Sequence, residues 1–317
     1  MQCARSESPR GHRVRIAAVA IAFLGVTILP HFATAEAAAG TLDRIRQTGK
    51  LTLGYRADAR PFAFKDEAGN ASGYSVALCQ RVAEQVKADL GLAALRVEWV
   101  PVTLEGRYGA LQQGSVDLLC GAETATLERR KEVAFSIPIF PGGIGAILRS
   151  DSSRALRQIL MKGKAVHRPL WRATPAQILE QQTFSIIRGT TGEKWLAGRI
   201  DKLHLTVKVV PVDSYDAGIR GVIDRSADVF FGDRAILLDA AKRSPSTRDL
   251  IVLERSFTAE ALALGLQRGD EDFRLVVDRA LSRQFMADDF GDLYAKWFGK
   301  ADEDVLMFFQ MSALPEQ

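Results

Sequence analysis

Apolar runs of strand length alternate with helical segments along most of this chain, and this alternation constrains its fold more than any other feature. In the first series, strands are predicted at 51–55, 95–102, 116–119 and 143–149, and helices at 74–87, at 107–113 and from 126 onward. The segment 74–87 has helical periodicity because Leu78, Val82 and Val86 recur on one face. Such alternation is typical of α/β proteins with a largely parallel sheet.

A second alternating series follows the first. Strands are predicted at 184–187, 205–210, 227–231, 250–253 and 261–266, and helices from 192 and at 215–223, 234–242, 271–286 and 290–298. Residues 162–182, which include Trp171 and Pro175, fit neither series. Two series in a chain of 317 residues predict about two domains.

The N-terminus has the pattern of a cleaved signal peptide. Residues 16–29 form an apolar segment that is too short to span a bilayer comfortably, and small residues typical of a cleavage site follow at 33–35. Four arginines precede the apolar segment: Arg5, Arg10, Arg13 and Arg15. A retained anchor is the alternative, but the apolar run is short and Pro30 ends it. We therefore expect residues 1–35 to be removed and the mature protein to be soluble and periplasmic.

The composition of the remaining chain argues against several classes of function. Residues 1–35 contain four of the 42 Lys and Arg and one of the 38 Asp and Glu, so the mature chain is nearly neutral. A nucleic-acid or anionic-membrane partner therefore has no support from charge. Only His167 and His204 remain as histidines, so neither a zinc site nor a cofactor is expected.

Two cysteines remain after removal of the signal peptide, Cys79 and Cys120. An exported protein meets an oxidising compartment, in which the two can form one disulfide. Two separately buried thiols are the preferred interpretation, because the sequence gives no geometry that would place the two side chains together.

Three polar or glycine-rich turns follow apolar strands: Ala122-Glu123-Thr124, Gly189-Thr190-Thr191-Gly192 and Gly232-Asp233-Arg234. In open α/β sheets, ligands bind beyond the carboxyl ends of strands and near helix N-termini. The first two turns offer hydroxyl and N–H groups, which bind anions, and the third offers a carboxylate, which binds cations. An α-amino acid carries both charges on one carbon. The turns therefore predict an amino-acid site.

Arg129 stands near the start of the helix predicted from 126, where the helix dipole disfavours a cation. An anion bound beside it would explain that placement. Arg129 can bind a carboxylate bidentately, Thr124 can add a hydroxyl and an N–H, and Asp233 can bind the ammonium. A solvated surface arginine is the alternative interpretation.

The chain resembles the family 3 extracellular solute-binding proteins, the amino-acid receptors of bacterial ABC importers. The resembling stretches, in chain order, are TLDRIRQTGKLTLGYR, PFAF…GYSVALC, GRYGALQQGSVDLLCG, T…ERR…VAFS, GTTGE, FFGDRAILL and LYAKWF. The resemblance implies a two-lobe, periplasmic-binding-protein-like (type II) α/β fold with two crossover hinge strands. Lobe 1 would comprise 41–145 and 260–310, and lobe 2 would comprise 146–259. It further implies a monomer that closes on an amino acid and delivers it to an inner-membrane ABC permease complex.

The resemblance also implies which residues bind the ligand. Carried over residue by residue, the carboxylate site falls on Thr124, Arg129 and the Thr191 amide. The ammonium site falls on Asp233 and the carbonyl of Ala122.

Two further arginines, Arg56 and Arg107, match those that hold the side-chain carboxylate in the aspartate and glutamate receptors of this family. The resemblance therefore implies an acidic amino acid as ligand, with structural or solvated arginines as the alternative. The chain departs from those receptors at Leu104 and Ala122, where they carry serines. Their histidine aligns near 214–215, where a tyrosine hydroxyl is a candidate replacement.

Two other classes of function remain open beside a binding protein. An exported enzyme on the same fold, such as a dehydratase of a prephenate-like acid, needs a cleft carboxyl with a raised pKa as general acid. Glu123 is the nearest candidate, although a solvated turn acid is its more ordinary interpretation. A sensor domain would need a transmembrane helix, for which no later stretch is long and apolar enough. We expect a binding protein and no enzyme.

Overall fold

The computed structural model describes residues 40–162 and 174–316. The predicted signal peptide at 1–35 and the histidine His167 lie outside the described residues. Within the described ranges, no helix is both long enough and apolar enough to cross a membrane.

The described residues form eleven α-helices and thirteen β-strands. The helices are α1 Thr41–Thr48, α2 Tyr74–Asp89, α3 Arg107–Gln112, α4 Arg154–Lys162, α5 Pro175–Glu180, α6 Thr191–Lys202, α7 Tyr215–Ile223, α8 Arg234–Arg243, α9 Glu271–Phe285, α10 Phe290–Phe298 and α11 Glu303–Ser312. The strands are β1 Lys50–Tyr55, β2 Asp58–Ala59, β3 Ala63–Lys65, β4 Ala71–Ser72, β5 Arg96–Pro101, β6 Leu118–Thr124, β7 Ala134–Gly142, β8 Ile144–Arg149, β9 Thr183–Ile187, β10 Lys208–Val212, β11 Val229–Asp233, β12 Leu250–Val252 and β13 Glu260–Leu266. Helix α5 falls in the segment 162–182 that the sequence leaves unplaced.

Two five-stranded sheets form the framework of the fold. The first sheet has the order β5-β1-β6-β13-β7 and the second has the order β10-β9-β11-β8-β12. Three neighbouring strands of each sheet are parallel, and one strand, β13 or β8, runs antiparallel to both of its neighbours. The short strands β2, β3 and β4 form a small separate sheet. The predicted α/β class is therefore confirmed, and the strands divide between two main sheets.

The chain passes between the two large sheets twice. On the first passage, β7 ends at Gly142 and β8 begins at Ile144, so one strand continues almost directly into the other. The second passage leads from β12 to β13 and runs beside the first, because Phe257 N–H donates to the Ile144 carbonyl (2.7 Å) and Glu260 pairs with Gly142. Two adjacent crossover strands are the expected hinge of a two-lobe type II fold. This fold class is therefore confirmed.

A disulfide joins helix α2 to strand β6. Cys79 and Cys120 are both fully buried, and their Cα atoms lie 6.0 Å apart. The preferred interpretation of two separate thiols is therefore wrong. The two cysteines meet because α2 packs against the first sheet, a tertiary contact that their separation of 41 residues does not reveal.

The largest difference from the predicted elements follows β6. Where a helix is predicted from 126, the structure has only a short 3₁₀ turn, Arg129–Lys131, because the chain enters β7 at Ala134. The sequence does not predict β7, since Pro138 and Pro141 disfavour a strand interior. The structure accommodates both prolines by placing β7 at the edge of its sheet.

Candidate ligand-binding cleft

A cleft of about 710 Å³, partly open to solvent, is lined by residues of both large sheets and of the helices that follow their strands. Every residue that the sequence predicts for the site lines this cleft: Arg56, Arg107, Ala122, Thr124, Arg129, Thr191 and Asp233. The structure thus brings all of the predicted residues together. What each of them can bind depends on its own contacts.

The ends of the strands explain why these residues meet. Strand β6 ends at Thr124, β11 ends at Asp233, and Arg56 follows the last residue of β1. Helix α6 begins at Thr191, after β9. Carboxyl ends of parallel strands lie at one edge of a sheet, which is where open α/β sheets bind their ligands.

Arg129 is partly buried and is fixed at one end of its guanidinium. Its Nη1 donates to the Thr124 carbonyl (2.9 Å), and its guanidinium carbon lies 5.6 Å from the centre of the Tyr108 ring. Among the described residues, neither Nε nor Nη2 of Arg129 has a hydrogen-bond acceptor. Because Arg129 stands in a 3₁₀ turn, the helix-dipole argument for its function no longer applies. A role in ligand binding is supported instead by the two nitrogens without a protein acceptor, because they can bind a carboxylate.

The turn before α6 presents backbone N–H groups to the cleft. Thr190 caps the helix, because its hydroxyl accepts from Glu193 N–H (3.2 Å). Thr191 is the first helical residue, and the N–H groups of a first turn have no partner within their own helix. The Thr191 amide is therefore available to an anion, as the resemblance implies.

Asp233 is the N-cap of α8. Its Oδ1 accepts from Ala235 N–H (2.9 Å) and more weakly from Ile236 N–H (3.4 Å). Burial raises the pKa of Asp233 to about 7, and the negative charge of Glu260 adds to this effect, although the two N–H groups oppose it. No described residue supplies Asp233 with a cation within 4 Å. A bound ammonium would supply that missing charge.

Tyr215 lines the same part of the cleft. Its hydroxyl accepts from Asp233 N–H (3.3 Å), and the residue is only 9% exposed. Burial, followed by the Asp233 charge, raises the pKa of Tyr215, so the phenol stays protonated. Tyr215 therefore offers its proton to an acceptor in the cleft.

Arg107 is held by an acid of the protein. Its Nε donates to Glu123 Oε2 (2.7 Å), and the Tyr108 hydroxyl donates to the same oxygen (2.8 Å). Glu123 is 5% exposed, so its interpretation as a solvated turn acid is wrong. Burial alone would raise the pKa of Glu123, but Arg107 and the other donors outweigh burial and lower it. An acid of this kind stays ionised and is unsuited to act as a general acid.

Arg56 is also paired, but at the margin of the cleft. Its Nε and Nη2 donate to the two carboxylate oxygens of Asp58 (3.0 and 2.8 Å). The Arg56 side chain is 12% exposed and that of Asp58 is 44% exposed, so solvent screens this pair more than the pair of Arg107. Arg56 is therefore the more available of the two arginines.

Glu260 lines the cleft although the sequence does not predict it for the site. It stands at the start of β13, on the second crossover, and its Oε2 accepts from the Thr124 hydroxyl (2.9 Å) and the Thr191 hydroxyl (3.3 Å). No motif marks this residue, because it reaches the cleft only through the pairing of the two crossover strands. Within the described ranges, no cluster of three or more His, Cys, Asp or Glu residues is arranged to hold a metal ion.

Comparisons with known proteins agree on one family. Residues 51–300 match the model of the bacterial extracellular solute-binding proteins, family 3. The L-glutamate/L-aspartate-binding protein of Pseudomonas aeruginosa is 29% identical over 266 residues, which cover 83% of this chain and 82% of that protein. A glutamate/aspartate import solute-binding protein of Salmonella typhimurium is 26% identical, with 83% and 81% covered.

A solved structure extends this likeness to three dimensions. The crystal structure of an ancestral amino-acid-binding protein, a precursor of cyclohexadienyl dehydratase, is 25% identical and has a TM-score of 0.66. The match covers 82% of this chain and all of that one.

Proposed function

Because this chain belongs to family 3 of the bacterial extracellular solute-binding proteins, we propose that it captures an acidic amino acid in the cleft and delivers it to an ABC permease. The observation that carries the proposal is the placement of Arg129 and Asp233 in one cleft, each without an ion-pair partner among the described residues. Opposite charges on one small ligand match this arrangement. The protein would act as a monomer in the periplasm.

The two charged ends of an amino acid have separate sites in this proposal. The ligand carboxylate lies against the free nitrogens of Arg129 and the Thr191 amide, with Thr124 beside them. The ammonium lies between Asp233 and the Ala122 carbonyl. The β6–β13 ladder pairs Glu123 with Ala263 and then shifts register before Gly265. Ala122 lies at this irregularity and has no partner in the β6–β13 ladder, which supports the proposed role of its carbonyl.

Arg56 favours an acidic side chain as the rest of the ligand. Its partner Asp58 is more exposed, so a ligand carboxylate that reaches Arg56 from inside the cleft competes with a partly solvated acid. Arg107 contributes less directly, since Glu123 holds it, although its Nη1 has no acceptor among the described residues. The names of the glutamate- and aspartate-binding relatives support the same ligand class. Leu104 and Ala122 make the nearby wall apolar, which leaves the Tyr215 hydroxyl as a candidate third donor.

Ligand binding would close the hinge. We place lobe 1 at 41–145 and 260–310 and lobe 2 at 146–259. Arg129 then belongs to one lobe and Asp233 to the other, so a ligand that bridges them favours the closed state over the open one. Without a ligand, closure buries both charges without counter-ions.

A thermal-shift screen of the purified protein against the twenty standard amino acids tests the proposal. A ligand at about 100 times its Kd stabilises by about 2.7 kcal/mol, which raises the Tm by about 5 °C or more. We expect this shift with L-glutamate or L-aspartate and a smaller one with their amides. Larger Tm shifts with a neutral or basic amino acid would overturn the proposal of an acidic ligand. The absence of a shift with every amino acid would overturn the proposal of an amino-acid site.

An enzymatic function has less support than binding. Its candidate general acid, Glu123, has a lowered pKa because of Arg107. The relatives named above are binding proteins. Turnover of prephenate by the purified protein would reverse this preference.

A further inference from the structure

Glu260 brings a carboxylate to the cleft from the crossover itself. Its backbone is fixed by pairing with Gly142 on β7, and its Oε1 accepts from the Thr258 hydroxyl (2.8 Å). The same threonine accepts from Ile144 N–H (2.9 Å), so the carboxylate is tied to both crossover strands. Glu260 is therefore a positioned side chain and not a freely rotating surface acid.

The partners of Glu260 are hydroxyl groups of both halves of the cleft. Oε2 accepts from Thr124, at the end of β6 in the first sheet, and from Thr191, at the start of α6 after β9 in the second. Both threonines belong to the proposed carboxylate site. Because their hydroxyl protons point to Glu260, the ligand carboxylate must bind to Arg129 and to backbone N–H groups instead.

Some charged side chains of the cleft have an ion-pair partner and others have none among the described residues. Glu123 is paired with Arg107, and Arg56 is paired with Asp58. Among the described residues, neither Glu260 nor Asp233 has a cationic side chain within 4 Å. Two acids without cations thus line one cleft, and Glu260 is near enough to affect the titration of Asp233.

An ammonium has three N–H donors and therefore needs three acceptors. The proposed site supplies two of them, Asp233 and the Ala122 carbonyl. We infer that Glu260 is the third acceptor, and that it selects amino acids over ligands of the same shape without an ammonium. This inference rests on the proposed amino-acid function and adds a specificity-determining residue to it.

The selection follows from the position of Glu260 beside the carboxylate site. When an ammonium is present, it offsets the two acids. When a hydroxyl replaces the ammonium, the ligand carboxylate must approach Glu260 and Asp233 without the positive charge that the ammonium supplies. A hydroxy acid should therefore bind weakly to the wild-type protein because of these acids.

Calorimetric titration of the purified wild-type protein and of Glu260→Gln tests the inference. The probes are L-glutamate and L-2-hydroxyglutarate, which differ only in the ammonium. We expect Glu260→Gln to lower the affinity for L-glutamate about ten- to hundredfold. The affinity for L-2-hydroxyglutarate should change less than about threefold or should rise. The matched control is Glu254→Gln, which removes an exposed acid from the same crossover and should leave both affinities unchanged.

Each outcome distinguishes the inference from the function on which it rests. Equal weakening of both probes would show a structural role for Glu260 and overturn the inference, as would unchanged binding of L-glutamate. If the wild-type protein binds L-glutamine or L-arginine instead of L-glutamate, the proposal of an acidic ligand is wrong. The same variant, titrated with that amino acid and its 2-hydroxy analogue, then decides the role of Glu260.

Discussion

Arg107 Nε lies 2.7 Å from Glu123 Oε2, and each of the two side chains is only 6% exposed. The Tyr108 ring covers the guanidinium carbon at 4.2 Å, and its hydroxyl donates to the same carboxylate oxygen. This buried pair forms one wall of the cleft. It therefore supports the site structurally, whether or not Arg107 also contacts a ligand.

Loss of one partner of this pair should destabilise the protein strongly. Glu123→Gln leaves Arg107 buried without a counter-charge, so we expect the free energy of unfolding to fall by about 3–5 kcal/mol. Urea unfolding measures the change. Glu128→Gln, which breaks the exposed pair of Glu128 and Lys131, is the control and should barely move the midpoint. A similar small change for both variants would contradict the structural role of the buried pair.

Arg56 should decide between acidic and neutral ligands. Arg56→Ala removes the donor proposed for the side-chain carboxylate, so L-glutamate should bind at least about tenfold more weakly while L-glutamine changes little. Asp58→Asn is the complementary variant: it frees Arg56 from its acid and should strengthen L-glutamate binding. Calorimetric titration with both ligands measures these effects. If Arg56→Ala lowered the affinity for L-glutamine as much as that for L-glutamate, Arg56 would have no part in selecting the side chain of the ligand.

Much of the fold is predictable from local pattern. The helices α7 Tyr215–Ile223 and α10 Phe290–Phe298 begin and end where the sequence predicts, and the Ser214 hydroxyl caps α7 by accepting from Ala217 N–H. Most strands agree within a few residues. These elements are predictable because apolar periodicity and capping are properties of neighbouring residues.

The sequence was less informative wherever distant parts of the chain meet. The Cys79–Cys120 disulfide and the burial of Glu123 both depend on how elements pack, and local pattern favoured the opposite in each case. The place of Glu260 in the cleft is unpredictable for the same reason. The seven site residues are predictable because strand ends, the unusual placement of Arg129 or the family resemblance mark them. Their roles in binding remain predictions, which substitution of the individual residues tests.

Ligand affinity should depend on pH through Asp233. Its pKa of about 7 in the ligand-free protein means that the carboxyl is mostly protonated below pH 7, where it must lose a proton before it accepts an ammonium. Affinity should therefore be constant above about pH 7.5 and fall by up to about tenfold per pH unit below pH 7. The negative charge of Glu260 helps to raise the pKa of Asp233, and Tyr215, whose hydroxyl accepts from Asp233 N–H, stays neutral in this range.

Titration of L-glutamate between pH 5.5 and pH 8.5 measures this profile. Asp233→Asn should bind weakly and should lose most of the dependence between pH 6 and pH 8. If the affinity of Asp233→Asn changed with pH as steeply as that of the wild type, a group other than Asp233 would cause the pH dependence.

The disulfide should stabilise the whole protein. Cys79–Cys120 closes a loop with a sequence separation of 41, for which constraint of the unfolded chain contributes about 2–4 kcal/mol. Reduction should therefore lower the urea midpoint of the wild-type protein. A Cys79→Ala/Cys120→Ala double variant should start at the lower midpoint and be insensitive to reductant. An unchanged wild-type midpoint after verified reduction would contradict this contribution.

Calorimetric titration of Arg129→Ala against the wild-type protein tests most directly whether the cleft holds an amino acid between Arg129 and Asp233. The probe is L-glutamate or whichever amino acid gives the largest thermal shift. Because the variant leaves a ligand carboxylate in the cleft without its guanidinium, we predict that affinity falls by about a hundredfold or more while the unfolding midpoint stays near that of the wild type. Binding by Arg129→Ala with wild-type affinity would contradict the account.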